Sequence, residues 1–221
     1  MDNESVDGVA GGSARRKAEK LAKAKEDRVN KAFGRFGKVA NLLISDSQST
    51  KAWAKGAKGE ALAAEVLEKL CRERGYKVLH DRKIPRSSAN IDHILVSEKA
   101  VFVVDAKFYE GLVEIRDVGG FFTKEEILYV AGRKQSNLVA GVNKQVGIVT
   151  KALEGDFAEI PVKGMLAFIY ASWPLFFKPK EIDGVLINGK GIEEAIDRTD
   201  TGQSIDIDKV FKALIKLFPS K

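Results

Sequence analysis

The chain has 221 residues, 44% of them hydrophobic and 31% charged, enough for one sizeable domain with an appendage. A single cysteine, Cys71, excludes an internal disulfide framework and a cysteine-based zinc site. The polar, basic N-terminus lacks a secretory h-region, and the longest apolar run, residues 165–177, is too short for a membrane span and contains Pro174. A reduced, cytoplasmic protein with no membrane span is expected.

The net charge of +6 is unevenly placed: residues 1–58 carry 13 Lys+Arg against 7 Asp+Glu, and the remainder is neutral. Residues 1–13 are rich in Gly, Ser and Asp and read as a disordered start. From Ala14 the pattern turns helical, with Val29, Phe33, Phe36, Ala40 and Leu43 on one apolar stripe. Such a stripe needs a surface to cover: its own domain, a membrane face, or a twin chain in a homodimer. Mixed Lys and Glu content favours packing onto protein. A basic arm on a neutral domain suits an electrostatic tether to nucleic acid or an anionic surface, and equally a solvated helix without a partner. Residues 45–50 read as a linker, which makes 1–50 a leader and 51–221 the domain.

Residues 53–74 form the first core helix, with Leu62, Val66 and Leu70 one turn apart and Gly75 ending it. Cys71, between Leu70 and Arg72, is a partly buried structural thiol. Glu60 follows Gly56 and Gly59 near the start of this helix, where the helix dipole favours a carboxylate. The small glycines would equally let Glu60 approach the strands that follow. A strand at 76–81 leads through a loop with Pro85 and Arg86 into a hairpin at 90–107. A short strand at 112–115, turns at Gly119 and Phe121 and a strand at 127–131 come next. The helix at 137–153 places Leu138, Val142, Val146, Val149 and Leu153 on one face, with Lys144 and Gln145 beside it. Strands at 162–171 and 184–187 precede a closing amphipathic helix at 205–218.

The hairpin organises the chain. If Val96 faces Val101, Asp92 lies across from Asp105 and Asn90 across from Lys107, and alternation gives Asp92, Asp105 and Lys107 one face. Directly opposed Cβ atoms lie about 4.5–5.5 Å apart, where like charges are destabilising. A divalent cation between the carboxylates is the simplest remedy, and oxygen ligands suit Mg2+ or Mn2+. The plain alternative is an Asp105–Lys107 ion pair at a strand end, with Asp92 exposed in a turn. His93 points away from the Asp92 face. Without further histidines or cysteines, neither it nor His80 makes a zinc site.

A helix with Glu, a strand with Asp, a strand with Asp-x-Lys and a helix with Gln or Lys form an ordered series. Gly59-Glu60, Ile91-Asp92-His93, Val104-Asp105-Ala106-Lys107 and Gly111 resemble the nuclease-related domain (NERD) family of the PD-(D/E)xK nuclease superfamily, over residues 53–153 and more loosely beyond. The resemblance implies an α/β, restriction-endonuclease-like fold: a central mixed β-sheet flanked by helices, here with a basic helical N-terminal extension. It implies Asp92 and Asp105 as metal ligands, Glu60 completing the acidic cluster, and Lys107 positioning or activating the attacking water. Gln145 would be the polar helical residue of the site. Val142 and Asn143 stand where NERD sequences often carry a proline, so Gln135 is the second candidate. A Mg2+- or Mn2+-dependent deoxyribonuclease follows, with a non-catalytic nucleic-acid or protein binding module on the same fold as its rival. Lys83, Arg86, Lys124 and Lys144 are candidates for phosphate contacts to DNA. No single-strand stacking motif is evident.

Overall fold

β-branched and aromatic runs suit pleated, buried surfaces, and they supply the strands. In chain order these are β1 (Val6–Asp7), β2 (Lys77–Lys83), β3 (Asn90–Val96), β4 (Val101–Lys107), β5 (Val113–Asp117), β6 (Glu126–Val130), β7 (Arg133–Lys134), β8 (Val162–Phe168), β9 (Lys180–Ile182) and β10 (Val185–Asn188). The helices are α1 (Gln48–Arg74), α2 (Ser136–Ala152), α3 (Ile192–Arg198) and α4 (Ile207–Leu217). The structure is a computed structural model that describes residues 5–8, 10, 12, 15, 16, 19, 20, 23, 48–120, 125–175, 180–188, 191–199, 201, 202 and 204–220, with the side chains of α1 from Lys58 onward.

Among the described residues, seven strands form one mixed sheet in the order β1-β2-β3-β4-β8-β10-β9, and β5-β6-β7 form a second, antiparallel sheet. This is the α/β, mixed-sheet architecture of a restriction-endonuclease-like fold. One face of the large sheet packs Val78, Leu95, Phe102, Val104 and Met165 against Leu67 and Leu70 of α1 and Ile196 of α3. The other face packs Val101 and Val103 against Val149 of α2 and Leu214 of α4, and Leu166 and Phe168 against Val142 of α2. Of the residues expected on one face of α2, Val142, Val149 and Leu153 are buried and Leu138 and Val146 pack at its margin, while Val139, not among those expected, is buried as well. Gly164 of β8 permits this packing of α2, because a Cβ there would lie 2.6 Å from Val142 Cγ1. No described helix is long and apolar enough to cross a membrane.

Several expectations need correction. Residues 1–13 are not uniformly unstructured: Val6–Asp7 pairs in parallel with Val78 and Leu79 at the sheet edge. The cause is Arg82, which is 1% exposed and whose guanidinium donates to Asp7 Oδ2 at 2.9 Å and to Phe218 O at 2.7 Å. A buried cation needs partners, and both chain termini supply them. The linker at 45–50 is helical from Gln48, so Glu60 lies mid-helix and the helix dipole gives no reason for it. β7, β9 and α3 were not anticipated. The apolar stripe at 29–43, with the dimer proposed through it, lies outside the described residues. Within the leader, Arg15, Arg16, Glu19, Lys20 and Lys23 are helical as expected.

Candidate functional site

The site is built at the end of β4. Every residue of β4 pairs in parallel with β8, so side chains alternate regularly and Val101, Val103, Asp105 and Lys107 share a face. The two valines belong to the core, and Asp105 and Lys107 continue their row. Asp105 is buried at 8% exposure. Lys107 Nζ donates to Asp105 Oδ1 at 2.5 Å.

The hairpin register has Val96 facing Val101, as arithmetic on the sequence requires, and runs back to His93 facing Val104. There the ladder stops. Asp92 is not paired through its backbone with Asp105; its Oδ2 accepts from the Ala106 N–H at 3.2 Å instead. The carboxylate thus stands in for the missing carbonyl and comes to rest beside Asp105. Asn90 does not reach Lys107 either. It pairs with Lys83, and its Nδ2 donates to Asp81 Oδ1 at 2.9 Å.

Glu60 arrives from α1, buried at 7% exposure. The neighbouring Gly59 sets its approach, because a Cβ there would lie 2.8 Å from Phe108 Cβ and 3.1 Å from the Phe108 nitrogen. Only a glycine lets the helix press this closely on the chain leaving β4.

The charges report on one another. Burial, then the neighbouring Asp105 and Glu60 carboxylates, hold the Asp92 carboxyl well above its ordinary value. Burial pulls Lys107 down, but Asp105 and Asp92 outweigh it, and the net shift is upward. Lys107 is therefore an ammonium at neutral pH, suited to stabilising negative charge rather than to accepting a proton.

Donor chemistry bears on a metal. Among the described residues, no three His, Cys, Asp or Glu side chains converge as a ready cage. Mg2+ needs none, since it is commonly held by one or two carboxylates with water and phosphate oxygens completing the shell. Asp92 and Asp105 fit that mode. Glu60 acts on Asp92 through charge.

The other expected residues are dispersed. Gln145 and Lys144 line a groove of about 430 Å³ with Ile84, Pro85, Ser87 and Phe218. Gln145 Oε1 is buried there without a hydrogen bond. Gln135 occupies the N-cap of α2 with no side-chain capping bond. Lys83, at the end of β2, and Arg86, on the loop that follows, are exposed, and Lys124 lies outside the described residues. His93 faces away from the aspartates, as alternation requires. Its Nδ1 lies 2.8 Å from His80 Nδ1. Cys71 is 3% exposed, and burial pushes its thiol up to about 12, the inert structural thiol expected of it.

Two features escaped the sequence. Asp81, left-handed at φ 49°, interrupts the β2–β3 ladder opposite Asp92 and receives Arg16 of the leader at 3.1 Å. Asp tolerates that conformation, but nothing local announces it. Phe108 and Tyr170, 62 positions apart in sequence, stack at the end of β4 with centroids 4.7 Å apart.

A family model described as the nuclease-related domain matches residues 55–169, just over half of the chain and all of β2 through β8. No curated protein and no solved structure matches.

Proposed function

The chain belongs to the nuclease-related domain family, and from that premise we propose that it is a metal-dependent nuclease hydrolysing DNA phosphodiester bonds at Asp92, Asp105 and Lys107. The observation that carries this reading is the Asp92 carboxylate, turned out of the ladder and onto the Asp-x-Lys strand, its carboxyl held up by burial and then by the Asp105 and Glu60 carboxylates. Like charges gathered at one buried point are relieved by a cation.

Asp92 and Asp105 would hold Mg2+ or Mn2+, with Glu60 adding negative charge behind them. The bound cation would supply an activated water and neutralise charge on the phosphate. The chain's own groups do the rest. The Lys107 ammonium, fixed by Asp105, is aimed where negative charge grows on the phosphate oxygens. The Ala106 N–H fixes the Asp92 carboxylate, so the donor set is ordered before substrate arrives. Gln145 and Lys144 lie along the groove beside the loop that leads into β3, where a nucleic-acid strand leaving the site would pass. Lys83 and Arg86 would meet its phosphates.

The test is cleavage of supercoiled plasmid, end-labelled single-stranded DNA and RNA with Mg2+, Mn2+ or EDTA. Wild type is run beside Asp105→Ala and Lys107→Ala. Metal-dependent cutting is expected, abolished in Asp105→Ala and reduced about 100-fold or more in Lys107→Ala, the scale seen on losing one positioned charge donor. Full activity in Asp105→Ala would remove the site assignment. Clean wild type that neither cuts nor binds Mg2+ or Mn2+ would leave a binding module on a nuclease fold.

A further inference from the structure

β4 and β8 end together. Lys107 is paired with Phe168, and the Ile169 N–H donates to Lys107 O at 3.1 Å. One residue further on, each chain carries an aromatic ring, Phe108 and Tyr170, stacked with planes 11° apart. Phe108 is anchored. Gly59 abuts its Cβ and nitrogen, and Lys58 Nζ lies 5.4 Å from its ring centroid. Tyr170 is 58% exposed. Its neighbours Tyr109, Ala171 and Trp173 pack against the core, while Tyr170 belongs to no core cluster. The chain therefore turns one ring outward at this point and supports it from beneath with another.

A buried stack contributes to stability through the area it removes from water. One whose outer member remains more than half exposed contributes little of that, and its position needs another account. It lies one residue beyond Lys107, on the rim where α1 brings in Glu60 and the exposed Lys58. An exposed aromatic ring, stacked on a ring that carries Lys58 and set near the phosphate-directed Lys107, has the composition of a single-strand stacking platform.

We infer that Tyr170 stacks an unpaired nucleobase of the strand whose phosphate is held at Asp92, Asp105 and Lys107. The inference rests on the nuclease reading above. The base adds a third layer to the Phe108–Tyr170 stack, and Lys58 meets an adjacent phosphate. Every nucleobase has a π-face, so the platform is indifferent to sequence. A base locked in a duplex does not offer that face, so single-stranded or frayed ends are preferred.

The test is binding by the full chain in EDTA, followed by fluorescence anisotropy. The probes are a short labelled single-stranded DNA, the same strand made abasic, and its duplex. Tyr170→Ala is expected to bind the single strand about 5- to 100-fold more weakly, the range for losing one stacked base. Tyr170→Phe should keep most of the affinity, and the abasic strand should bind wild type and Tyr170→Ala alike. Tyr170 is exposed enough for both variants to fold, which circular dichroism checks. Equal single-strand affinity in wild type and Tyr170→Ala overturns the platform, as does tight binding of the abasic strand or no binding at all. Binding in EDTA is independent of cutting. A wild type that cuts with Mg2+ but is indifferent to Tyr170→Ala refutes the platform and spares the nuclease. One that discriminates as expected but never cuts does the reverse.

Discussion

The buried histidine pair makes stability depend on pH, with a sign that follows from its geometry. His80 and His93 are 1% and 0% exposed, with their Nδ1 atoms 2.8 Å apart. One Nδ1 must carry a proton and the other must not, so the contact is satisfied only when at least one ring is neutral. His80 Nε2 lies 3.4 Å from Glu68 Oε1. A proton on that nitrogen makes His80 Nδ1 the acceptor and His93 the donor, leaving a bare lone pair on the buried His93 Nε2. Burial, then the Arg82 guanidinium, holds His80 down to about 4, and burial, then His80, holds His93 well below 6.5. The unfolded chain takes up these protons near pH 6.5 and the folded chain does not. Stability is therefore whole above pH 6.5 and falls as pH drops toward 4. At about 1.4 kcal/mol per pH unit, His80 alone accounts for about 2 kcal/mol by pH 5 and about 3 kcal/mol by pH 4. Asp92 opposes this: its raised carboxyl keeps a proton that the unfolded chain loses above about 3.8, so its contribution falls as pH rises through that window. A raw pH profile mixes the two, and a difference between variants separates them. Urea unfolding in EDTA at pH 5, 6, 7 and 8 would compare wild type with the double variant His80→Leu, His93→Leu. The stability of wild type minus that of the variant should grow by about 2 kcal/mol or more from pH 5 to pH 7, then level off. A difference independent of pH would refute the neutral pair.

Two further outcomes follow from packing. Asp7→Ala leaves the buried Arg82 guanidinium without its carboxylate, and should lower stability by about 2 kcal/mol, less than for a fully buried pair because Asp7 is partly exposed. Adding Arg82→Met to that variant should restore part of the loss in the same urea titration, and a further loss would show that the Arg82–Phe218 bond dominates. Gly59→Ala improves helix propensity by about 1 kcal/mol, yet places a methyl 2.8 Å from Phe108 Cβ. Overpacking of about 1–3 kcal/mol outweighs the gain, so Tm should fall; a rise would mean that α1 is not pressed against the end of β4.

What the sequence disclosed depended on how local its causes are. The hairpin register was readable because a four-residue reversal between two apolar runs leaves one arithmetic solution, and Val96 does face Val101. The seat of α2 was readable because its stripe repeats over 17 residues. α3 has seven residues and β9 three, too few for a period to show. β1 exists because of Arg82, 75 positions away from Asp7, and no local pattern in residues 5–8 announces a strand. The same holds at the site. Glu60, Asp105 and Lys107 could be read as motif residues, whereas Asp81 and the Phe108–Tyr170 stack are products of tertiary register.

That register also explains why Asp92 differs from an ordinary strand aspartate. β2 and β3 pair at His80–His93 and again at Arg82–Ile91, skipping Asp81 and Asp92, and the β3–β4 ladder ends one residue earlier. Asp92 therefore sits where hydrogen bonding is interrupted on both sides, between Asp81 and Asp105. A strand residue held on both edges has no freedom to reach along the sheet. Released on both, Asp92 swings its carboxylate onto the Ala106 N–H, satisfying a donor that would otherwise be orphaned. The two flanking aspartates are each answered by a cation: Asp105 by Lys107, within the same strand, and Asp81 by Arg16, from the leader. Asp92 is the member of the row without an adjacent cation, and burial, then the Asp105 and Glu60 carboxylates, holds its carboxyl up. The broken ladder is thus what gathers these carboxyl groups at the point where the Asp-x-Lys strand ends.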